Sequence, residues 1–145
     1  MFKKLKEQKG FTLAELLVVV AIIGVLVAIS IPIFSGQLEK SRDAVTVANL
    51  RSAYAEAQVA YMTETTSGNA TYTDKSSTST AGEATVAVTN VIAKGKKDDD
   101  FSGLVTDLPF ADKQSGFDAM DNAPGKYTVT FTYGSNGEIS SIAVE

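Results

Sequence analysis

Neither cysteine nor histidine occurs anywhere in the 145 residues. The first absence removes disulfide staples and thiolate nucleophiles. The second removes imidazole general bases, and together they remove the usual zinc ligand sets. No G-x-S-x-G or phosphate-loop motif fills that gap, so no catalytic residues are expected and the chain does not read as an enzyme. Its folded part must rest on packing and hydrogen bonds alone, over a core of modest size. Beyond the first ten residues, basic charge is in short supply. Lys3, Lys4, Lys6 and Lys9 against Glu7 give that stretch +3, while the remainder holds nine basic against sixteen acidic side chains. So acidic a surface is a poor match to phosphate backbones, and no direct nucleic-acid contact is expected.

Large apolar residues are almost missing from 63–83 and are crowded into 11–34. From Leu16 the apolar run is unbroken to Ile29, and after Ser30 it continues through Ile31, Pro32, Ile33 and Phe34. As a helix, Phe11 to Phe34 would span about 36 Å, enough to cross a hydrocarbon core of about 30 Å. The lysines before it favour a cytoplasmic location for that end. A secretory signal would have a shorter apolar middle and a small-x-small cleavage site after it. Here Ser35-Gly36-Gln37 leads into an amphipathic stretch instead. Glu15 lies inside the apolar segment, one turn from Phe11. A charge there costs about 2.5–3.5 kcal/mol at the centre of a membrane and less near an end. Farther along, Gly24 permits close helix packing, and Pro32 removes a backbone donor and weakens the turn before it.

Lys9-Gly10-Phe11-Thr12-Leu13-Ala14-Glu15, followed by the apolar run, closely resembles the leader junction of type IV prepilins. The resemblance covers about 25 residues at the level of motif and is architectural beyond them. It implies cleavage after Gly10 by a prepilin peptidase, N-methylation of Phe11, and pairing of Glu15 with the freed amine of a neighbouring subunit. Elementary electrostatics favours the same picture. Cutting at Gly10 removes the +3 tether and creates an ammonium at Phe11. An embedded carboxylate and an embedded ammonium on different subunits lack partners until their helices stack, so their pairing sets an axial register. The resemblance further implies unwinding between about Gly24 and Pro32 in the filament, with a continuous helix in the free subunit. Expected partners are other copies of the chain in a helical homopolymer, the prepilin peptidase, the inner-membrane assembly machinery, and the membrane before assembly. The precursor would sit in the cytoplasmic membrane and the assembled filament outside the cell, serving adhesion or surface motility. Two other functions fit parts of the pattern: a pseudopilin of a type II secretion-like system, and a membrane-tethered binding protein that does not polymerise.

After the membrane segment, Val47, Leu50, Tyr54, Ala57 and Tyr61 recur at three- and four-residue spacing, with Ala53 and Ala60 beside them. This predicts continuation of the helix to about Met62. Glu39, Lys40, Arg42, Asp43, Arg51 and Glu56 lie mostly off that stripe. Tyr127, Val129, Phe131 and Tyr133 alternate with threonines and predict a strand. A turn at Gly134–Gly137 and a returning strand from Glu138 to Val144 complete a hairpin. Pairing Tyr133 with Glu138 would set Phe131 opposite Ser140 and Val129 opposite Ile142, leaving Ile139 exposed or at a bulge. A third strand is expected over Thr85–Ala93, with Val86, Val88 and Ile92 in phase. Residues 94–126 look irregular, anchored by Phe101, Leu104, Leu108, Phe110 and Phe117. Their clustered aspartates could chelate calcium, but no loop has the alternation and glycine of a calcium motif. They are expected to be solvated, with neither metal nor cofactor.

The expected fold class is therefore α+β: a long N-terminal helix, its first half transmembrane and its second half packed on a small antiparallel sheet. The expected segments are a leader at 1–10, a transmembrane and polymerisation helix at 11–34, its amphipathic continuation at 35–62, a Ser/Thr-rich loop at 63–83, and a globular head at 84–145.

Overall fold

A computed structural model gives the fold and describes residues 10–74 and 83–145. Residues 1–9 of the expected leader and 75–82 of the expected Ser/Thr loop lie outside the described residues. Helix α1 runs Leu13–Thr63 and is followed by β1 Ala70–Asp74 and β2 Ala84–Ala93. Two 3-10 segments, Asp100–Asp107 and Ala111–Gly116, and a short helix α2, Ala119–Asn122, precede β3 Gly125–Tyr133 and β4 Ile139–Val144. The chain divides into two compact units, Met1–Gln37 and Leu38–Glu145.

In the first unit every residue from Gly10 onward is exposed, although the sequence is almost wholly apolar. The side chains of Leu17 and Phe34 are 69% and 70% exposed. The helix satisfies its own backbone, which is the condition for placing such a segment in lipid, and it is long and apolar enough to cross a membrane.

In the second unit α1 buries one face. Its buried residues are Glu39, Asp43, Leu50, Ala53, Ala57 and Ala60, three or four apart, with the neighbours Thr46 and Val47 filling the step between Asp43 and Leu50. Aromatic side chains join this helix to the sheet and to the segment between β2 and β3. The Tyr54 ring lies 5.2 Å from Phe110 and 6.3 Å from Phe131, and Tyr61 stacks on Tyr133 at 4.1 Å. Tyr54 and Tyr61 are thus packing residues, as the periodicity predicted.

The sheet is an antiparallel meander in the order β1-β2-β3-β4. Its inner face carries Val86, Val88, Val91, Ala93, Val129, Phe131, Tyr133 and Ile142, all buried. Four details differ from the sequence expectation. A strand, β1, occupies Ala70–Asp74 within the stretch expected as loop. The Ser/Thr-rich composition looks like linker, but Thr and Tyr fit a pleated surface well, and pairing Ala70 with Val88 and Tyr72 with Val86 gives them one. In β2 a bulge follows Val88, where Asn90 adopts φ 61°. The extra residue reverses the phase, so Val91 and Ala93 turn inward and Ile92 turns out, 38% exposed.

The β3–β4 register is also displaced. Phe131 faces Ile142 and Val129 faces Val144, while Tyr133 faces Ile139 across a bulge. The Ser140 hydroxyl donates to the Thr132 carbonyl at 3.1 Å within that bulge. Of the two alternatives for Ile139, the bulge is therefore the one that occurs. Finally, the segment expected as irregular carries the two 3-10 segments and the short helix α2. Phe101, Leu108, Phe110 and Phe117 are buried there, as anticipated.

Candidate functional site

Helix α1 begins with a reciprocal cap. The Thr12 amide donates to Glu15 Oε2 at 3.0 Å, and the Glu15 amide donates to Thr12 Oγ1 at 3.2 Å. The Leu16 amide reaches the Thr12 carbonyl at 3.1 Å. Thr12-Leu13-Ala14-Glu15 is thus a capping box, a pattern legible as T-x-x-E ahead of an apolar run and absent from the sequence reading of Glu15. The box holds one carboxylate oxygen on the first turn, where the positive end of the helix dipole also favours a negative charge. Gly10 and Phe11 precede this cap directly, both exposed.

The helix is continuous through Gly24 and Pro32. A Cβ added at Gly24 would meet nothing within 4 Å, so that position leaves room for another helix to approach closely. Around Pro32, Ser30 Oγ donates to the Leu26 carbonyl at 2.6 Å and Ser35 Oγ to the Pro32 carbonyl at 3.1 Å. Serine back-bonding and a proline each weaken the local ladder and favour a bend. The fold strings Gly10, Phe11, Glu15, Gly24 and Pro32 along one segment and does not gather them into a pocket.

A second group of polar residues was not anticipated. Glu39, Asp43 and Thr46 occupy the same face as Leu50, Ala53 and Ala57 and are 3%, 0% and 0% exposed. The signal was their spacing, which continues the apolar stripe backwards with polar side chains. Thr46 and Glu39 receive the chain leaving β2. Thr46 Oγ1 accepts the Lys94 amide at 2.9 Å, and Glu39 Oε1 accepts those of Lys96 and Lys97 at 2.6 and 2.9 Å. Arg42 pairs with the other Glu39 oxygen at 3.0 Å. Burial by itself would raise the Glu39 carboxyl, but the two amides and the guanidinium outweigh it and hold the group below its ordinary range. Replacing Glu39 by Ala leaves two amides and a guanidinium without their acceptor. The expected loss is about 1–3 kcal/mol of stability in a denaturant titration, against near-neutrality for Lys40→Ala on the exposed face.

Asp121 does the same for the next stretch, accepting the amides of Asp99, Asp100 and Phe101 at 3.0, 2.8 and 3.0 Å. Those bonds hold an unusual backbone: Asp100, Phe101 and Ser102 all have positive φ, at 61°, 51° and 52°. Each such L-residue costs roughly 1–2 kcal/mol, offset here by the caged amides and by the complete burial of the Phe101 ring. Asp43 Oδ2 accepts the Ser102 hydroxyl at 2.5 Å. Burial, opposed by that hydroxyl and aided by Asp99, Glu39 and Asp121 nearby, pushes the Asp43 carboxyl up to about 6. Carboxylate oxygens of Asp43, Asp99 and Asp121 all lie within 4.8 Å of one another.

A capped, exposed apolar helix, long enough to cross a membrane, and a helix-on-sheet unit together give the chain an α+β, pilin-like fold. The family profile described as the prokaryotic N-terminal methylation motif matches residues 5–31. A "Type IV narrow pilus major component PilA5" of Thermus thermophilus is 50% identical over 54 residues, which cover 35% of this chain and 47% of that protein. "Fimbrial protein Q" of Moraxella bovis is 49% identical over 43 residues, 30% of this chain and 27% of the relative. A "Type IV major alpha-pilin" of Moraxella bovis is 54% identical over 35 residues, 24% of this chain and 22% of the relative. The chain thus spans less than half the length of each of these relatives. No solved structure matches it significantly. The chain carries a type IV prepilin motif at its N-terminus, and the proteins it resembles there are type IV pilins.

Proposed function

We propose that this chain is the major subunit of a type IV pilus, cut after Gly10, methylated at Phe11 and assembled through its apolar helix. One observation supports this reading above the others. Glu15 is a carboxylate in the first turn of a helix whose following residues through Leu38 are exposed and mostly apolar. A charge so placed is costly in lipid unless a partner meets it. The ammonium released at Phe11 of a neighbouring copy supplies that partner, and the pairing fixes the stagger between subunits. The same step detaches the lysines that favour the cytoplasmic face. Gly24 lets helices close on one another, and the stretch up to Pro32 unwinds as they pack. Adhesion and surface motility follow as roles of the outer surface of such a filament.

Intact mass and N-terminal sequencing of material sheared from the cell surface test the proposal. The expected result is long filaments rich in a chain that begins at methylated Phe11. Filament-free shear fractions, with the cleaved chain retained in the membrane, would instead mark a pseudopilin. An uncut chain would mark a tethered binding protein.

A further inference from the structure

We propose that Asp43, Asp99 and Asp121 form a seat for one hard divalent cation, calcium by preference, that fastens helix α1 to the segment between β2 and β3. The three carboxylates come from separate parts of the chain, and their oxygens lie within 4.8 Å of one another. Two oxygens bound to one calcium at about 2.4 Å each stand no more than about 4.8 Å apart, a condition that all three oxygens meet.

A second, independent observation points to a ligand. Asp43 is fully buried, and its Oδ1 has no hydrogen-bond partner. A buried carboxylate oxygen without a partner is among the costlier arrangements a fold can hold. Protein cations do not relieve it: among the described residues the ion pairs are Arg42–Glu39 and Lys113–Asp112. Gly95 closes the same small space. A Cβ there would run into the Asp121 carbonyl oxygen and lie 2.8 Å from Asp43 Oδ1. The Asp121 carbonyl therefore borders the orphaned oxygen and is available as a further donor. The remaining bonds of the cluster fix its geometry: amides of residues 99–101 hold Asp121, and Asp99 Oδ1 caps the Ser102 amide.

The donor set is all oxygen, which suits calcium or magnesium rather than a transition metal. Three carboxylates and a carbonyl favour calcium, because magnesium usually keeps several waters beside one or two carboxylates. Bound there, the ion would cross-link a unit that has no disulfide and would hold the left-handed turn at Asp100–Ser102 in place. The proposal does not depend on the filament reading.

The test uses the full-length chain in detergent micelles, stripped with chelator and titrated with calcium chloride by calorimetry, with unfolding followed by near-ultraviolet dichroism. The expected result is one ion per chain, Kd of about 1 mM or tighter, and a melting midpoint that rises with calcium. Asp43→Asn and Asp99→Asn should each weaken binding at least about tenfold, and Asp107→Asn, an exposed carboxylate outside the cluster, should not. Should Asp43→Asn fail to fold, Asp99→Asn decides alone, since Asp99 is exposed. Three outcomes overturn the proposal: no uptake up to about 10 mM calcium, unchanged affinity in the folded cluster variants, or equal loss in Asp107→Asn.

Discussion

Cells carrying Glu15→Ala in place of the native chain should yield no sheared filaments, while the cleaved protein accumulates in the membrane with its sheet unit folded. With the proposed cut after Gly10, the variant would remove the carboxylate and leave the ammonium at Phe11 unpaired in an apolar setting, so stacking would bury a lone charge. Alanine also destroys the capping box with Thr12. Glu15→Gln separates the two roles, because glutamine preserves the box but carries no charge. If charge pairing drives assembly, Glu15→Gln fails like Glu15→Ala. Normal filament yield from Glu15→Gln would reduce Glu15 to a cap and remove the electrostatic basis of the proposed register. The readout is pilin in the sheared fraction against pilin in the membrane fraction, by immunoblot.

The second large effect is in the core. Phe110→Ala should lower the stability of the folded unit by about 3–5 kcal/mol, a large part of what a small domain has. Phe110 is 1% exposed, and its ring lies 5.2 Å from Tyr54 and 5.7 Å from both Phe117 and Phe131. It is where helix, sheet and the 3-10 segments meet, and no crosslink bypasses it. Near-ultraviolet dichroism of the full chain in micelles should show the unfolding midpoint fall by roughly 10–20 °C. Ile92→Ala is the contrasting variant. The bulge at Asn90 turns Ile92 outward, so its loss should stay within about 0.5 kcal/mol. Equal losses in the two variants would contradict the inside-outside assignment of β2.

What could be read in advance, and what could not, divides along a physical line. The N-terminal segment was legible because its information is local: a basic start, Gly10-Phe11, Glu15 and an unbroken apolar run. The helix stripe from Val47 to Tyr61 was legible because one periodicity carries it. Glu39, Asp43 and Thr46 lie on that same stripe, yet their polarity made them look exposed. Only the distant amides of Lys94, Lys96 and Lys97 and the Ser102 hydroxyl explain why they are buried. Such partners are contacts across the fold and leave no mark on spacing. The same holds for Ile92 and Ile139, whose facing depends on bulges at Asn90 and Ser140 that a strict alternation cannot register. β1 was hidden differently: its threonines resemble linker until β2 lies beside them.

The open meander has one more consequence, which concerns what must not associate. Its outer strands are β1 and β4, and among the described residues each has a strand of the sheet on one side only. Copies packed side by side, as the proposed filament requires, risk pairing edge to edge through such strands. Both edges are short, at five and six residues, and β4 is distorted by the bulge at Ser140. Asp74 ends β1, and the polar pair Ser140-Ser141 interrupts β4. These edges would discourage a competing mode of aggregation, as growth through the apolar helix in the proposed filament requires.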